Sequence, residues 1–392
     1  MLSNLENRRA VATIIAVQLA CAINWYSASS TYSLIASDLR LNVSGLGVIT
    51  SAFILGVGTF QLPAGLIAAK QGPKRTLIYG VFLTSTFSVL SGLVTELPLL
   101  AVTRFVVGIG EAFIFGPGAI LISRYFRKGS EGLSLGLFGG AFDLGGIVGI
   151  SGWAIFGNLV GWRVSVITGG VIGLVVGFLL ISLVPNDQVK GGFFIKFSDL
   201  TKVLFNKWLL LISAGLLTVQ VGFSLSSYFM VYYLEDSLGI GPDLAGVVGS
   251  LALAASVVAS PAAGRVFDRM SRPKASFILS GLIAGAGLAI AAVRSTYAAA
   301  ASSLVVGAST GVGFTIGYSI ARRMNRAQQQ YEAFGLSWVN GIGLFGGVWT
   351  PLVFSEFAVR FSYSFAWLLA GVFTALLILP VLALKREASP QP

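Results

Sequence analysis

The sequence predicts an all-α integral membrane protein, with twelve transmembrane helices in two six-helix bundles related by pseudo-two-fold symmetry. Composition is the first reason. Of 392 residues, 55% are hydrophobic and 10% charged, against about 25% charged in soluble domains. Such a chain has too little polar surface to cover a water-soluble globule, and disorder is excluded because it needs low hydrophobicity. The second reason is twelve apolar runs of bilayer-spanning length. The third is that the two halves repeat the same signals in the same order.

The runs read, in order, 10–36, 45–69, 76–94, 97–123, 132–157 and 162–184, then 208–234, 244–264, 275–293, 297–321, 334–354 and 361–384. A spanning helix needs roughly 17–25 apolar residues. The first run is too long for a signal-peptide core and is expected to be a retained helix. One long polar gap divides the set. Residues 1–184 are read as the first bundle, 185–207 as a cytoplasmic linker with a short amphipathic stretch at 198–205, and 208–392 as the second bundle. The repeat shows in Pro63-Ala64-Gly65 closing span 2 and Pro261-Ala262-Ala263-Gly264 closing span 8, each followed by a basic loop. Gly132-Leu133-Ser134 opens span 5, and Gly335-Leu336-Ser337 opens span 11. Six plus six with a duplicated basic turn is the layout of an alternating-access transporter, with its site near midplane between the halves.

Net charge is +11, which could suggest nucleic acid. Its placement argues otherwise. With a cytoplasmic amino terminus, 21 lysines and arginines fall in inner segments and four in outer ones. That asymmetry is the positive-inside signal, and it predicts a multi-pass protein of the cell membrane with both termini cytoplasmic. No nucleic-acid partner is needed, and a monomer in the lipid bilayer is expected. The single cysteine and the absence of histidine exclude a disulfide framework, a Cys-rich metal site and the usual proton shuttle. No cofactor or metal is expected, and no pair of acids close in sequence suggests an enzyme. The glycines of 307–313 lie in an apolar span without a following Lys-Ser/Thr, so they are no phosphate cradle.

With Arg163, at the outer end of its run, counted among the outer cations, three charges fall inside the spans: Arg104 and Glu111 in span 4, and Asp143 in span 5. A carboxylate at mid-membrane costs about 2.5–3.5 kcal/mol on insertion scales, so each needs a partner, water or a proton. Seven residues at about 100° each return Glu111 to the face of Arg104, roughly 10 Å along the axis. With histidine absent, Glu111 and Asp143 are the proton-coupling candidates, and one of them is expected to be protonated in at least one transport state. Arg104 reads equally as a substrate contact or a structural strut bonded to carbonyls. Other polar candidates for substrate contact are Asn24, Tyr26, Gln61, Gln220, Tyr228, Trp338 and Asn340. Charge and coupling would then lie in the first half, with neutral hydrogen bonds and apolar shape supplied by the second.

The residues resemble the major facilitator superfamily, whose loop between helices 2 and 3 reads Gly-x-x-x-Asp-Arg/Lys-x-Gly-Arg/Lys. Here Gly65-Leu66-Ile67-Ala68-Ala69-Lys70-Gln71-Gly72-Pro73-Lys74-Arg75 matches with Ala69 at the acidic position. The second half keeps the acid, in Gly264-Arg265-Val266-Phe267-Asp268-Arg269-Met270-Ser271-Arg272. The resemblance implies a cytoplasmic gate at Gly65, Gly72, Lys74, Arg75, Gly264, Asp268, Arg269 and Arg272. More narrowly, Arg104-x-x-x-Gly108-x-Gly110-Glu111, then Pro117, Arg124-Tyr125-Phe126 and Gly161-Trp162-Arg163, is similar to the anion:cation symporter branch. That branch moves organic anions with protons or sodium, which implies that Arg104 meets the anion and Glu111 takes part in coupling. Where the branch commonly has an Asp-Arg pair, this chain reads Asn24-Trp25-Tyr26. The expected function is secondary transport of a small organic anion, a carboxylate, by proton-coupled symport, with sodium as the alternative to the proton. The alternative is a proton-coupled exporter of hydrophobic or cationic compounds. A non-transporting sensor would usually carry a soluble signalling segment, and the short tails point away from that.

Overall fold

The computed structural model describes residues 5–126, 131–186, 204–267, 272–325 and 332–384. Among them the chain is helical, with no strand. Span 1 is Leu5–Trp25 followed by Tyr32–Leu39. Span 2 is Val43–Gln71, span 3 Pro73–Ser91, span 4 Leu97–Ala112 with Phe115–Ser123, span 5 Glu131–Val160 and span 6 Trp162–Leu183. The second set is Lys207–Leu238, Pro242–Phe267, Pro273–Ile290, Thr296–Asn325, Glu332–Arg360 and Tyr363–Leu377 (spans 7 to 12), the last extended by a 3-10 turn. Among the described residues, eleven spans are long and apolar enough to cross a membrane. The exception is span 3, where Lys74, Arg75 and several Ser/Thr dilute the apolar run; it packs between spans 4 and 6. The linker expected at 185–207 lies mostly outside the described residues, as do Asp268 and Arg269.

Two spans read as continuous are broken. Span 4 stops at Ala112 and restarts at Phe115. Pro117 accounts for this, because its ring lacks an N–H and clashes with the carbonyl four residues back, at Phe113. In span 1 the hydroxyls past Trp25 take backbone acceptors for themselves. Ser27 donates to Asn24 O at 2.7 Å and Thr31 to Ser27 O at 2.9 Å, the local competition that weakens a helix. Tight turns use glycine where the backbone demands it: Gly72 (φ 93°) joins spans 2 and 3, and Gly161 (φ 88°) joins spans 5 and 6.

Apolar surface gives no net drive between helices in lipid, so close packing must hold the bundle. The halves solve this with the same contacts. A Cβ on Gly108 would stand 2.0 Å from Phe53 O, where spans 2 and 4 cross; one on Gly307 would stand 1.9 Å from Ala252 O, where spans 8 and 10 cross. Likewise Gly170 faces Ser85 O at 2.6 Å between spans 6 and 3, and Gly371 faces Gly285 O at 2.6 Å between spans 12 and 9. Gly108→Ala should therefore lower the apparent melting temperature in detergent, overpacking costing about 1–3 kcal/mol; Gly139→Ala, with open space around it, is the control expected to leave it unchanged.

The bundles meet along spans 2 and 11, 5 and 8, and 1 and 7. Several of their polar links lie at the face away from the basic loops. Ser44 donates to Glu356 at 3.1 Å, Ser33 to Glu235, and Ser151 to Gly246 O at 3.3 Å. At that face Arg163 also pairs with Asp38 at 2.8 Å and covers the Trp162 ring, tying span 6 to span 1. Toward the basic face the bundles part, and Gly116 and Gly139 have nothing within 4 Å of a built Cβ. Leu159, Val175 and Phe178 stand outward and exposed, an apolar rim suited to lipid.

Candidate functional site

A vestibule of about 830 Å³ opens between the bundles in their basic-face halves. The first bundle contributes Gln18, Trp25, Gln61, Glu111, Phe142 and Asp143; the second contributes Gln220, Ser256, Phe314, Tyr318 and Asn340. Both carboxylates singled out by the sequence therefore face one chamber, with three of the neutral candidates. Several of the amide and hydroxyl groups bond one another. Tyr318 donates to Asn340 Oδ1 at 2.5 Å, and Gln220 Nε2 to Ser224 at 3.3 Å. Aromatic rings fill much of the rest: Phe142 lies edge-on to Trp25 at 5.5 Å, and Phe314 stacks on Tyr318 at 6.2 Å.

Arg104 is not in the vestibule. It lies beyond Trp25 in a second, small space of about 10 Å³, room for about one water, shared with Ser29, Thr50, Phe53 and Tyr228. The guanidinium is 1% exposed and sits 4.9 Å over the Phe53 ring. Its Nη1 is buried with no hydrogen-bond partner, and so is Oε1 of Glu111 one face-repeat below. No ion pair joins the two among the described residues. The strut reading of Arg104 asks for carbonyl partners, and Nη1 has none.

The other candidates are placed differently. Asn24 turns away from both spaces, exchanging hydrogen bonds with Ser88 at 2.9 and 3.0 Å between spans 1 and 3. Tyr26 is fully buried against Tyr228, ring centroids 6.0 Å apart, with its hydroxyl unpartnered. Trp338 donates to Leu204 O at 3.2 Å, near the end of the linker. Lys74 is buried and donates to Ile181 O at 3.2 Å and Asn186 Oδ1 at 2.9 Å, so it grips the end of span 6. Arg75 and Arg272 are exposed, Gly65 has open space beside it, and Gly264 lies 3.7 Å by its built Cβ from Thr315.

Sequence reasoning passed over Gln18 and Trp25. Gln18 is buried with Oε1 unpartnered on the vestibule wall. Trp25 lines both spaces at once. A polar side chain at the centre of span 1 was a signal for the first; nothing in the sequence announces the second except its place before a run of hydroxyls.

The family model for the Major Facilitator Superfamily matches residues 14–235 and 212–392, which together run over nearly the whole chain. The chain belongs to the major facilitator superfamily. As such it is a multi-pass membrane protein of a transporter family and not an enzyme. Its fold is shared, at a TM-score of 0.80 and 16% identity, with a bacterial homologue of the human lysosomal transporter Spinster in an inward-facing, unoccupied conformation, over 99% of this chain and 100% of that one. It is shared too with a mutant of the nucleoside transporter NupG, at a TM-score of 0.80 and 13% identity, over 95% and 99%. Among curated relatives, the 4-hydroxybenzoate transporter PcaK of Pseudomonas aeruginosa is 24% identical over 79% of this superfamily member and 77% of its own length. The "Probable L-galactonate transporter" of Escherichia coli K12 is 33% identical over 36% of the chain. The chain spans 31% of that relative's length and 41% of the "Probable galactarate/D-glucarate transporter GarP".

Proposed function

We propose that this protein carries small organic carboxylates across the cell membrane by alternating access, in symport with protons. The observation that carries the reading is Arg104: a buried guanidinium with an unpartnered nitrogen, between the two bundles and on the face of a buried carboxylate. A guanidinium fork matches a carboxylate in shape and charge, and an arginine held at this depth with an unpartnered nitrogen is costly unless a ligand completes it. Relatives named for hydroxybenzoate and sugar-acid transport agree with an anionic substrate. With both termini cytoplasmic, the vestibule opens inward and the links at Ser33 and Ser44 close the outer face.

Coupling follows from charge. One arginine against Glu111 and Asp143 leaves the ionised site negative, and an incoming anion deepens the imbalance. A proton on either acid relieves it, so proton and carboxylate bind best together.

The wall also favours a flat, apolar body over a polyol. On the second bundle's side the amides are spent internally, at Tyr318–Asn340 and Gln220–Ser224, while Trp25, Phe142 and Phe314 offer ring faces. Uptake by proteoliposomes of benzoate-type and sugar-acid carboxylates, with and without an inward pH gradient, tests all of this. Accumulation of a carboxylate only with the gradient is expected, aromatic acids leading. Accumulation of no carboxylate would sink the reading. A second reading rests on the vestibule alone, where two acids and several rings face the chamber with Arg104 shut outside: a lipophilic cation exporter. Proton-driven extrusion of such a cation by the same liposomes would favour it.

A further inference from the structure

We propose that Trp25 is the inner door of the anion seat: its indole partitions the vestibule from the Arg104 space and must swing aside before a carboxylate can reach the guanidinium. The inference rests on the functional reading above for what enters the seat, but the partition itself stands on geometry. Trp25 is the one residue that lines both spaces among those that bound them. Its Nε1 donates to the Tyr228 hydroxyl at 2.7 Å, a bond from span 1 to span 7 that ties the first bundle to the second. Its ring is held edge-on between Phe53 at 4.7 Å and Phe142 at 5.5 Å. The space behind it holds an unpartnered Arg104 Nη1 and room for about one water, too little for an organic acid.

The door also has a hinge. Trp25 is the last residue of its helix, and the chain from Tyr26 to Ala28 leaves the helical path before Ser29. Rotating one indole at a helix end disturbs far less backbone than moving a residue within a continuous span. Opening costs the Tyr228 hydrogen bond and two ring contacts; the incoming carboxylate supplies a charge-assisted bond to Arg104, roughly twice as strong as a neutral one. Entry is thereby reserved for a ligand able to meet the arginine. Neutral solutes of the same size would fill the vestibule without opening the seat.

The test reads access to the seat without any substrate. In a Cys21→Ala background, Ser29→Cys places a thiol on the seat wall. In sealed vesicles, a small membrane-impermeant thiosulfonate is added on the basic-loop side only. Modification should be slow with Trp25 present and at least tenfold faster with Trp25→Ala; Tyr228→Phe, which keeps the ring and removes the acceptor hydroxyl, should fall between. Equal rates in all three proteins would overturn the door. The Tyr228→Phe comparison decides alone if Trp25→Ala does not fold, an unchanged rate again overturning the proposal. Benzoate then separates the two claims. Protection of the thiol by benzoate in Trp25→Ala, lost in Arg104→Gln, supports both; acceleration without any protection leaves the door in place and removes the carboxylate reading.

Discussion

Arg104→Gln should weaken carboxylate binding by roughly 10- to 150-fold, and uptake with it, while leaving the protein as stable as before, or more so. The two outcomes together are the diagnostic result. A strut that held carbonyls would lose stability on removal, since a broken buried charge network costs several kcal/mol. Here the guanidinium is 1% exposed and its Nη1 bonds nothing, so the folded protein carries the cost of a buried, incompletely satisfied ion. Taking it away relieves the fold. The bound anion, by contrast, loses a charge-assisted hydrogen bond worth about 1.5–3 kcal/mol, roughly a 10- to 150-fold drop in affinity. Arg104→Lys keeps the charge but not the fork, and should retain part of the uptake with a raised KM. Scintillation-proximity binding of a labelled carboxylate beside a thermal-shift curve measures both sides. A lowered melting temperature with binding intact would return Arg104 to a structural role.

How much of this could be read from the chain follows one rule: lipid makes some features unavoidable and leaves others to packing. Span number, the two-bundle repeat and the isolated acids were legible because a bilayer core penalises every polar group, so apolar length and stray charge stand out. Span 3 was legible as the apolar run 76–94, although Lys74, Arg75 and its hydroxyls lower the hydropathy of the helix that forms. The break after Ala112 was present in Pro117 yet hidden inside an apolar run. The break after Trp25 comes from hydroxyl-to-backbone bonding at Ser27 and Thr31, a local choice that apolar periodicity does not register. Side-chain partners were the least legible. Asn24 looked like a cavity residue and instead bonds Ser88, whereas Trp25, which drew no assignment, lines two spaces. Polarity tells which residues need a partner in a membrane; only the crossing of helices decides whether that partner is a neighbour or a solute.

The same reasoning makes Glu111 the residue on which energy coupling should turn. Glu111→Gln is expected to end gradient-driven accumulation while carboxylate exchange across the membrane, measured as counterflow of labelled against unlabelled substrate, continues. Glutamine keeps the shape of a protonated glutamate but can neither release nor accept the proton, so the loaded carrier still reorients and the empty one no longer depends on pH. The size of the effect can be bounded. An ionised Glu111 roughly 10 Å along span 4 from an anion on Arg104 repels it by about 1.7 kcal/mol at an effective dielectric of 20. That is about 15-fold in affinity. Wild-type carboxylate affinity should therefore fall by about that factor as pH rises through the titration of the acid. The Glu111→Gln protein should hold the tighter value throughout, its site never becoming negative. Asp143→Asn separates the two acids. Asp143 lines the same vestibule from span 5, off the helix that carries Arg104, and its neutral variant should keep both accumulation and most of the pH dependence. Should the pattern invert, with Asp143→Asn losing accumulation and Glu111→Gln retaining it, the proton travels by span 5 and the face shared by Arg104 and Glu111 serves binding alone.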